Sequence, residues 1–183
     1  MRTCRVILLV LGLVSGAQAG LILTVGGSDP GGEIAPQTSL VLGMAVEAGA
    51  DLMGYDVQFL VISGPGALNG GSVTWPTPLT LGNQLTVNTA SEVRTWAAQD
   101  AFLLDPPVAG FAQLVDNVAL TLPEDPATPV VIVLYNPTST GTVVNDAAVP
   151  AGELDRLTIT PEPGVMGLLG LGGLALARRR RKS

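Results

Sequence analysis

Between Gly20 and Thr160 the chain carries fourteen Asp and Glu side chains and two cations, Arg94 and Arg156, a net charge of −12. Little else is available for chemistry, because there is no histidine and the one cysteine is Cys4. A Ser-His-Asp or Cys-His site is excluded, and zinc lacks its usual ligands. Schiff-base and Ser-Lys chemistry fail as well, since the one lysine is Lys182 near the chain end. Carboxylates remain. A glycosidase sets two of them across a cleft and raises the pKa of one. Glu124 and Asp125 are neighbours on a loop, and Glu153 and Asp155 share a face if their strand is regular. Solvated surface charge is the simpler account of both pairs, so a small carboxylate-based hydrolase is the third function class, and no catalytic residue is assigned. Asp29, Asp51 and Asp146 each stand beside a turn, where six to eight oxygens can gather round calcium. No other cofactor is expected. Flat aromatic rings cover sugar faces, and Trp75, beside Pro76, and Trp96 are the two rings available for ligand binding. Tyr55 and Phe59 fall on an alternating core face, and Tyr135 ends a buried run. Core packing or loop anchoring is the alternative for both tryptophans. So anionic a body repels nucleic-acid phosphates, and its two arginines are expected to pair with nearby carboxylates.

The elements that must position these groups lie between two terminal segments of different character. Met1 to Arg5 is short and basic, Val6 to Val14 is apolar, and Ala17-Gln18-Ala19 is a small-x-small cleavage site. That order predicts a secretory signal peptide over residues 1–19, cut after Ala19 by the secretion machinery. At the other end, Pro161-Glu162-Pro163 forms a stiff spacer. The uncharged run Gly164–Ala177 follows, and Arg178, Arg179, Arg180, Arg181 and Lys182 come last. The basic cluster stays on the cytoplasmic side. At a rise of about 1.5 Å per residue the apolar run reaches roughly 21 Å, short of the roughly 30 Å of a bilayer core. A short transmembrane helix of this kind, weakened by its glycines, suits a temporary hold on the membrane.

The intervening body, residues 20–160, reads as strands. Leu40, Leu42, Met44 and Val46 alternate on one face. Tyr55, Val57, Phe59 and Val61 alternate with Asp56, Gln58, Leu60 and Ile62. Val130 to Tyr135 is a continuous apolar run, Leu154, Leu157 and Ile159 mark a last strand, and Leu21 to Val25 a first. Pro76 and Pro78 confine a short strand at Val73–Trp75 to an edge. Gly- and Pro-rich turns separate the runs. Ser91 to Leu104 is the exception, a predicted short helix with Ser91 as cap and Val93, Trp96, Ala97 and Phe102 on one face. The predicted fold is all-β, an antiparallel two-sheet β-sandwich of eight or nine short strands.

Two resemblances carry the sequence further. The tail, with Pro161-Glu162-Pro163, Gly164–Ala177 and Arg178–Arg181 in order, resembles the PEP-CTERM sorting signal. That resemblance implies recognition by an exosortase and cleavage near the Pro-Glu-Pro motif. The protein would be tethered to the inner membrane before processing and then reside at the cell surface or in the extracellular matrix. The body resembles cohesin-like and carbohydrate-binding β-sandwich domains of the jelly-roll type. The residues concerned are Leu40–Val46, Gly54-Tyr55-Asp56-Val57-Gln58-Phe59 and Gly152–Ile159. No dockerin-type calcium repeat occurs, so cellulosome assembly does not follow. The implied protein is a non-enzymatic surface protein working in adhesion, structure or ligand binding. The alternative is a carbohydrate-binding module of the exopolysaccharide matrix, so the partner is a surface protein or a polysaccharide.

Overall fold

The computed structural model describes residues 20–35, 37–99, 107–124 and 128–161. The signal peptide, the transmembrane helix, Glu162, Pro163 and the basic cluster Arg178–Arg181 lie outside the described residues, as do Phe102 and Asp125.

Among the described residues there are thirteen strands: β1 (Leu21–Val25), β2 (Glu33–Ile34), β3 (Ser39–Val46), β4 (Asp51–Ser63), β5 (Ala67–Asn69), β6 (Leu81–Asn88), β7 (Glu92–Ala98), β8 (Val108–Ala109), β9 (Ala112–Thr121), β10 (Val130–Asn136), β11 (Val143–Val144), β12 (Ala147–Ala148) and β13 (Gly152–Ile159). They form two sheets. Sheet A has the order β1-β3-β9-β5. Sheet B runs β12-β11-β4-β10-β13-β2, with β7 and β8 on the other side of β4 and β6 beyond β7. Pairing is antiparallel except for β2 against β13. Among the described residues no helix is long and apolar enough to cross a membrane.

Alternation explains the layers. Leu40, Leu42, Met44 and Val46 of β3 meet Tyr55, Val57 and Phe59 of β4 in one core, joined by Ile132 and Leu134 of β10 and Leu157 and Ile159 of β13. Burial of each Leu- or Phe-sized side chain contributes about 1.5–3 kcal/mol.

Ser91 to Leu104 does not begin a helix. Glu92–Ala98 is a strand, with Val93, Thr95 and Ala97 buried and Glu92, Arg94 and Trp96 turned outward. Val93, Trp96 and Ala97 mimic helical spacing only because buried Thr95 is polar; its hydroxyl accepts a hydrogen bond from Trp75 Nε1 at 3.3 Å. The strand expected at Val73–Trp75 reduces to one bridge, in which Thr74 and Asp116 exchange backbone hydrogen bonds of 3.0 Å.

Glu153 and Asp155 do not share a face. Tyr135 pairs with Glu153 and Leu134 with Asp155, so Leu154 is an extra residue in a bulge. Glu153 therefore faces outward, where its carboxylate takes two hydrogen bonds from Arg156, at 2.8 and 2.7 Å. Asp155 faces the seam between the sheets. It accepts hydrogen bonds from Leu23 N and Arg156 N, both at 2.7 Å, and so ties the free edge of β1 to β13. Burial raises its pKa above the usual aspartate value; the two backbone donors lower it in part, and nearby Asp29 and Glu47 add to the rise.

Candidate functional site

Residues paired directly across antiparallel strands share a face. On β7 and β4, Trp96 pairs with Asp56, Arg94 with Gln58 and Glu92 with Leu60. On β4 and β10, Gln58 pairs with Tyr135. All of these stand opposite the core residues Tyr55, Val57 and Phe59, so they line the outer face of sheet B. Trp96 and Tyr135 are both half-buried. Two strand spacings, about 10 Å, separate their columns.

The polar groups between the rings are held in place. Arg94 binds Asp56 through two parallel bonds, Nε to Oδ1 at 2.8 Å and Nη2 to Oδ2 at 2.6 Å. Its guanidinium pKa is raised chiefly by that hydrogen bonding. Gln58 Nε2 donates to Glu92 Oε1 at 2.6 Å. From the far side, the buried Thr142 hydroxyl accepts from Asp56 N at 3.3 Å and donates to Asn136 Oδ1 at 3.2 Å. Asn136 Nδ2 in turn donates to the Val149 and Pro150 carbonyls. This buried network lays the Gly141 turn against Asp56. A Cβ at Gly141 would stand 2.7 Å from Asp56 Cβ. Further along β4, Ile62 is exposed.

The arginines pair as expected, Arg94 with Asp56 and Arg156 with Glu153. Tyr135 does not end in the core; it follows buried Leu134 onto the outer face. Trp75 and Trp96 lie on opposite sides of β7. Trp75 packs against the core and Trp96 faces out, so the two do not form one platform. Buried Tyr55 sits near Trp75 and Thr95. Its hydroxyl makes no hydrogen bond of good geometry among the described residues. Burial raises its pKa, and the nearby Thr95 and Trp75 groups offset part of the rise.

Asp29 caps its own turn, accepting from Gly31 N at 2.8 Å. Asp51 meets Asn145 at another corner, where Asn145 Oδ1 accepts from Asp51 N at 2.8 Å; Asp146 is next in the chain, and Asn145 and Asp146 both have positive φ. Among the described residues no group of three His, Cys, Asp or Glu side chains could hold a metal ion.

The outward placement of Tyr135 is hidden in the sequence because an apolar run has no period to reveal its faces. The alternation in β4 did place Asp56 and Gln58 opposite the core.

Residues 160–182 match the family model of the PEP-CTERM protein-sorting motif. The chain carries a PEP-CTERM sorting signal. The motif marks an exported protein that is membrane-anchored before processing by an exosortase. Among solved structures, the fold is similar to that of CaCohA2 from Clostridium acetobutylicum, with TM-score 0.49 and 11% identity over 78% of this chain and 92% of that one. It is similar to a type II cohesin domain from the cellulosome of Acetivibrio cellulolyticus, with TM-score 0.46 and 12% identity over 77% and 95%. The sixth cohesin of scaffoldin B from the same organism, in complex with the Cel5 dockerin, is also similar, with TM-score 0.44 and 10% identity over 79% and 99%. No curated protein matches the chain. At these identities no partner passes from those structures to this chain.

Proposed function

We propose that the protein is a non-enzymatic binding module, exported and sorted through its PEP-CTERM tail, and that the outer face of sheet B is its recognition surface at the cell surface or in the extracellular matrix. The observation that carries this reading is the pair of half-buried rings, Trp96 and Tyr135, flanking polar groups already locked by hydrogen bonds. Side chains held in place before binding lose little freedom when a partner arrives. Aromatic rings with a polar handle are enriched where partners bind.

A second reading, a carbohydrate-binding module of the exopolysaccharide matrix, is favoured by the same rings. They offer flat apolar faces beside planar carboxylate, amide and guanidinium groups, which suit sugar faces and hydroxyls. Calcium bound near Asp51 and Asp146 would be an accessory to either role.

Retention of the processed protein on host envelope material tests both. The Trp96→Ala/Tyr135→Ala double variant is expected to bind at least tenfold more weakly while unfolding at the same temperature. Equal retention would sink the recognition surface. Loss of wild-type retention after periodate treatment of the envelope assigns the partner as polysaccharide, and loss after protease treatment as protein.

A further inference from the structure

Gly20 is the residue that the Ala17-Gln18-Ala19 site would make the first of the mature chain. It is buried. A Cβ there would lie 2.9 Å from both Ala50 Cβ and Val144 Cγ1. With a residue preceding it, its φ is +97°, a conformation that glycine alone adopts readily. Two bonds join it to one partner. Its carbonyl accepts from Glu47 N at 2.7 Å, which extends the β1–β3 ladder by a rung. Its nitrogen donates to Glu47 Oε2 at 3.3 Å. The ladder needs only the first. The second aims a carboxylate at the atom that becomes an amino group when the leader is cut away.

We infer that Glu47 is the docking site for the α-ammonium of Gly20, so that removal of the leader completes the β1 edge of sheet A. The inference rests on cleavage after Ala19. Hydrolysis by a signal peptidase adds water across the Ala19–Gly20 bond, leaving a carboxylate on Ala19 and an amine on Gly20. The amine takes a proton from solvent. One neutral N–H facing Glu47 becomes a cation with three donors, and hydrogen bonds between ionised groups are shorter and about twice as strong as neutral ones. The space around Gly20 still admits no side chain after the cut, so the fold demands glycine at this position in both states.

The body is suited to a direct test, because the one lysine is Lys182. Amine labelling of the exported protein therefore reports Gly20 and, where the tail is retained, Lys182, which peptide mass mapping separates. The full chain and Glu47→Gln are secreted from the same host, the terminal peptides are mapped, and labelling rate is followed against pH. An ordinary α-amino group titrates near 7.7–8.0, on the order of model peptides. Docking predicts that Gly20 titrates higher in the wild type than in Glu47→Gln, since the burial that lowers an amine's pKa is common to both. It also predicts labelling at least threefold slower at pH 7.5 than in Glu47→Gln. Labelling at matched rates with Gly20 as the terminus overturns the docking alone. A terminus other than Gly20 overturns the cut site and the docking with it. Glu47 is exposed, so its amide variant is expected to fold.

Discussion

On the outside of sheet A stand Thr24, Val41, Gly43, Ala45 and Gln113, with no charge among them. The outside of sheet B holds both arginines of the body, three of the carboxylates that pair with or flank them, and the rings of Trp96 and Tyr135. Around Gly43 the first face is closed by its own side chains, while Val41 beside it is exposed. Gln113 Nε2 lies across Gly43 and donates to Thr24 Oγ1 and to the Val115 carbonyl, both at 2.8 Å. Beneath it, Thr24 and Ala45 are fully buried although they point away from the core. The second face is open, and its polar groups are fixed beside exposed surface. The difference teaches that an outward face can be built for cohesion or left partly open, and that the choice shows in whether its long side chains lie flat over neighbours or leave rings half-exposed.

The sharpest way to break this comparison is at Gly43. A Cβ there would lie 2.3 Å from Gln113 Nε2 and 2.5 Å from the backbone oxygen of Val115, and a backbone atom cannot swing aside. Gly43→Ala is expected to destabilise by about 3 kcal/mol, an overpacking penalty, read by urea unfolding. A loss below about 1 kcal/mol would mean that the Gln113 strap is soft and sheet A is not the rigid partner.

Next in size is the seam between the sheets. Leu23 is fully buried, so Asp155→Ala leaves its N–H without an acceptor and is expected to cost about 1–3 kcal/mol. Asp155→Asn keeps an acceptor and removes the buried charge. The folded pKa of Asp155 is raised, so the proton-bound form is favoured by folding. That stability is fully present below the unfolded aspartate pKa, near 3.9 as an order of magnitude, and is lost as pH rises through the folded value. Wild type should therefore gain stability relative to Asp155→Asn as pH falls from neutral toward 4, in paired urea titrations. A difference that stays flat with pH would remove the buried-carboxylate account.

The smallest effect belongs to the open face. Arg94→Ala, Asp56→Ala and the double variant should give a coupling of about 0.5–1 kcal/mol, the upper end for a partly exposed pair, shrinking with added salt. A coupling of several kcal/mol would make this face a structural one like its counterpart.

Much of this was legible in the chain itself. β1, β3, β4, β10 and β13 declare themselves through apolar alternation or a β-branched run, and with them the sandwich. β9 hides because it is bulged twice. Leu114 and Val115 are both buried, and Asn117, with φ of 63°, interrupts the period before Val118. β6 hides because it is an edge strand, kinked at Gly82 and Asn83, with polar residues on both faces. The bulge in β13 did leave a trace. Leu154 and Leu157 both pack inward, yet stand an odd number of residues apart, which a regular strand forbids. Of the candidate site, Trp96 and the pairing of the arginines were readable from residue type. The neighbourhood of Trp96 with Tyr135 was not, since it depends on β7, β4 and β10 lying side by side though β7 and β10 are far apart in sequence.

The exit of the chain has a mechanical consequence. β13 ends at Ile159, opposite Val130, and its other end lies opposite Asn136, next to Tyr135. The tail leaves from the first end, and Tyr135, on the face proposed for recognition, lies near the second. When the protein is tethered through its tail and tugged by a partner at Tyr135, the load runs along β13. The seven residue pairs between β13 and β10 are then strained together in shear instead of being unzipped one after another, and a short domain without a single disulfide becomes a strong link in a chain under tension.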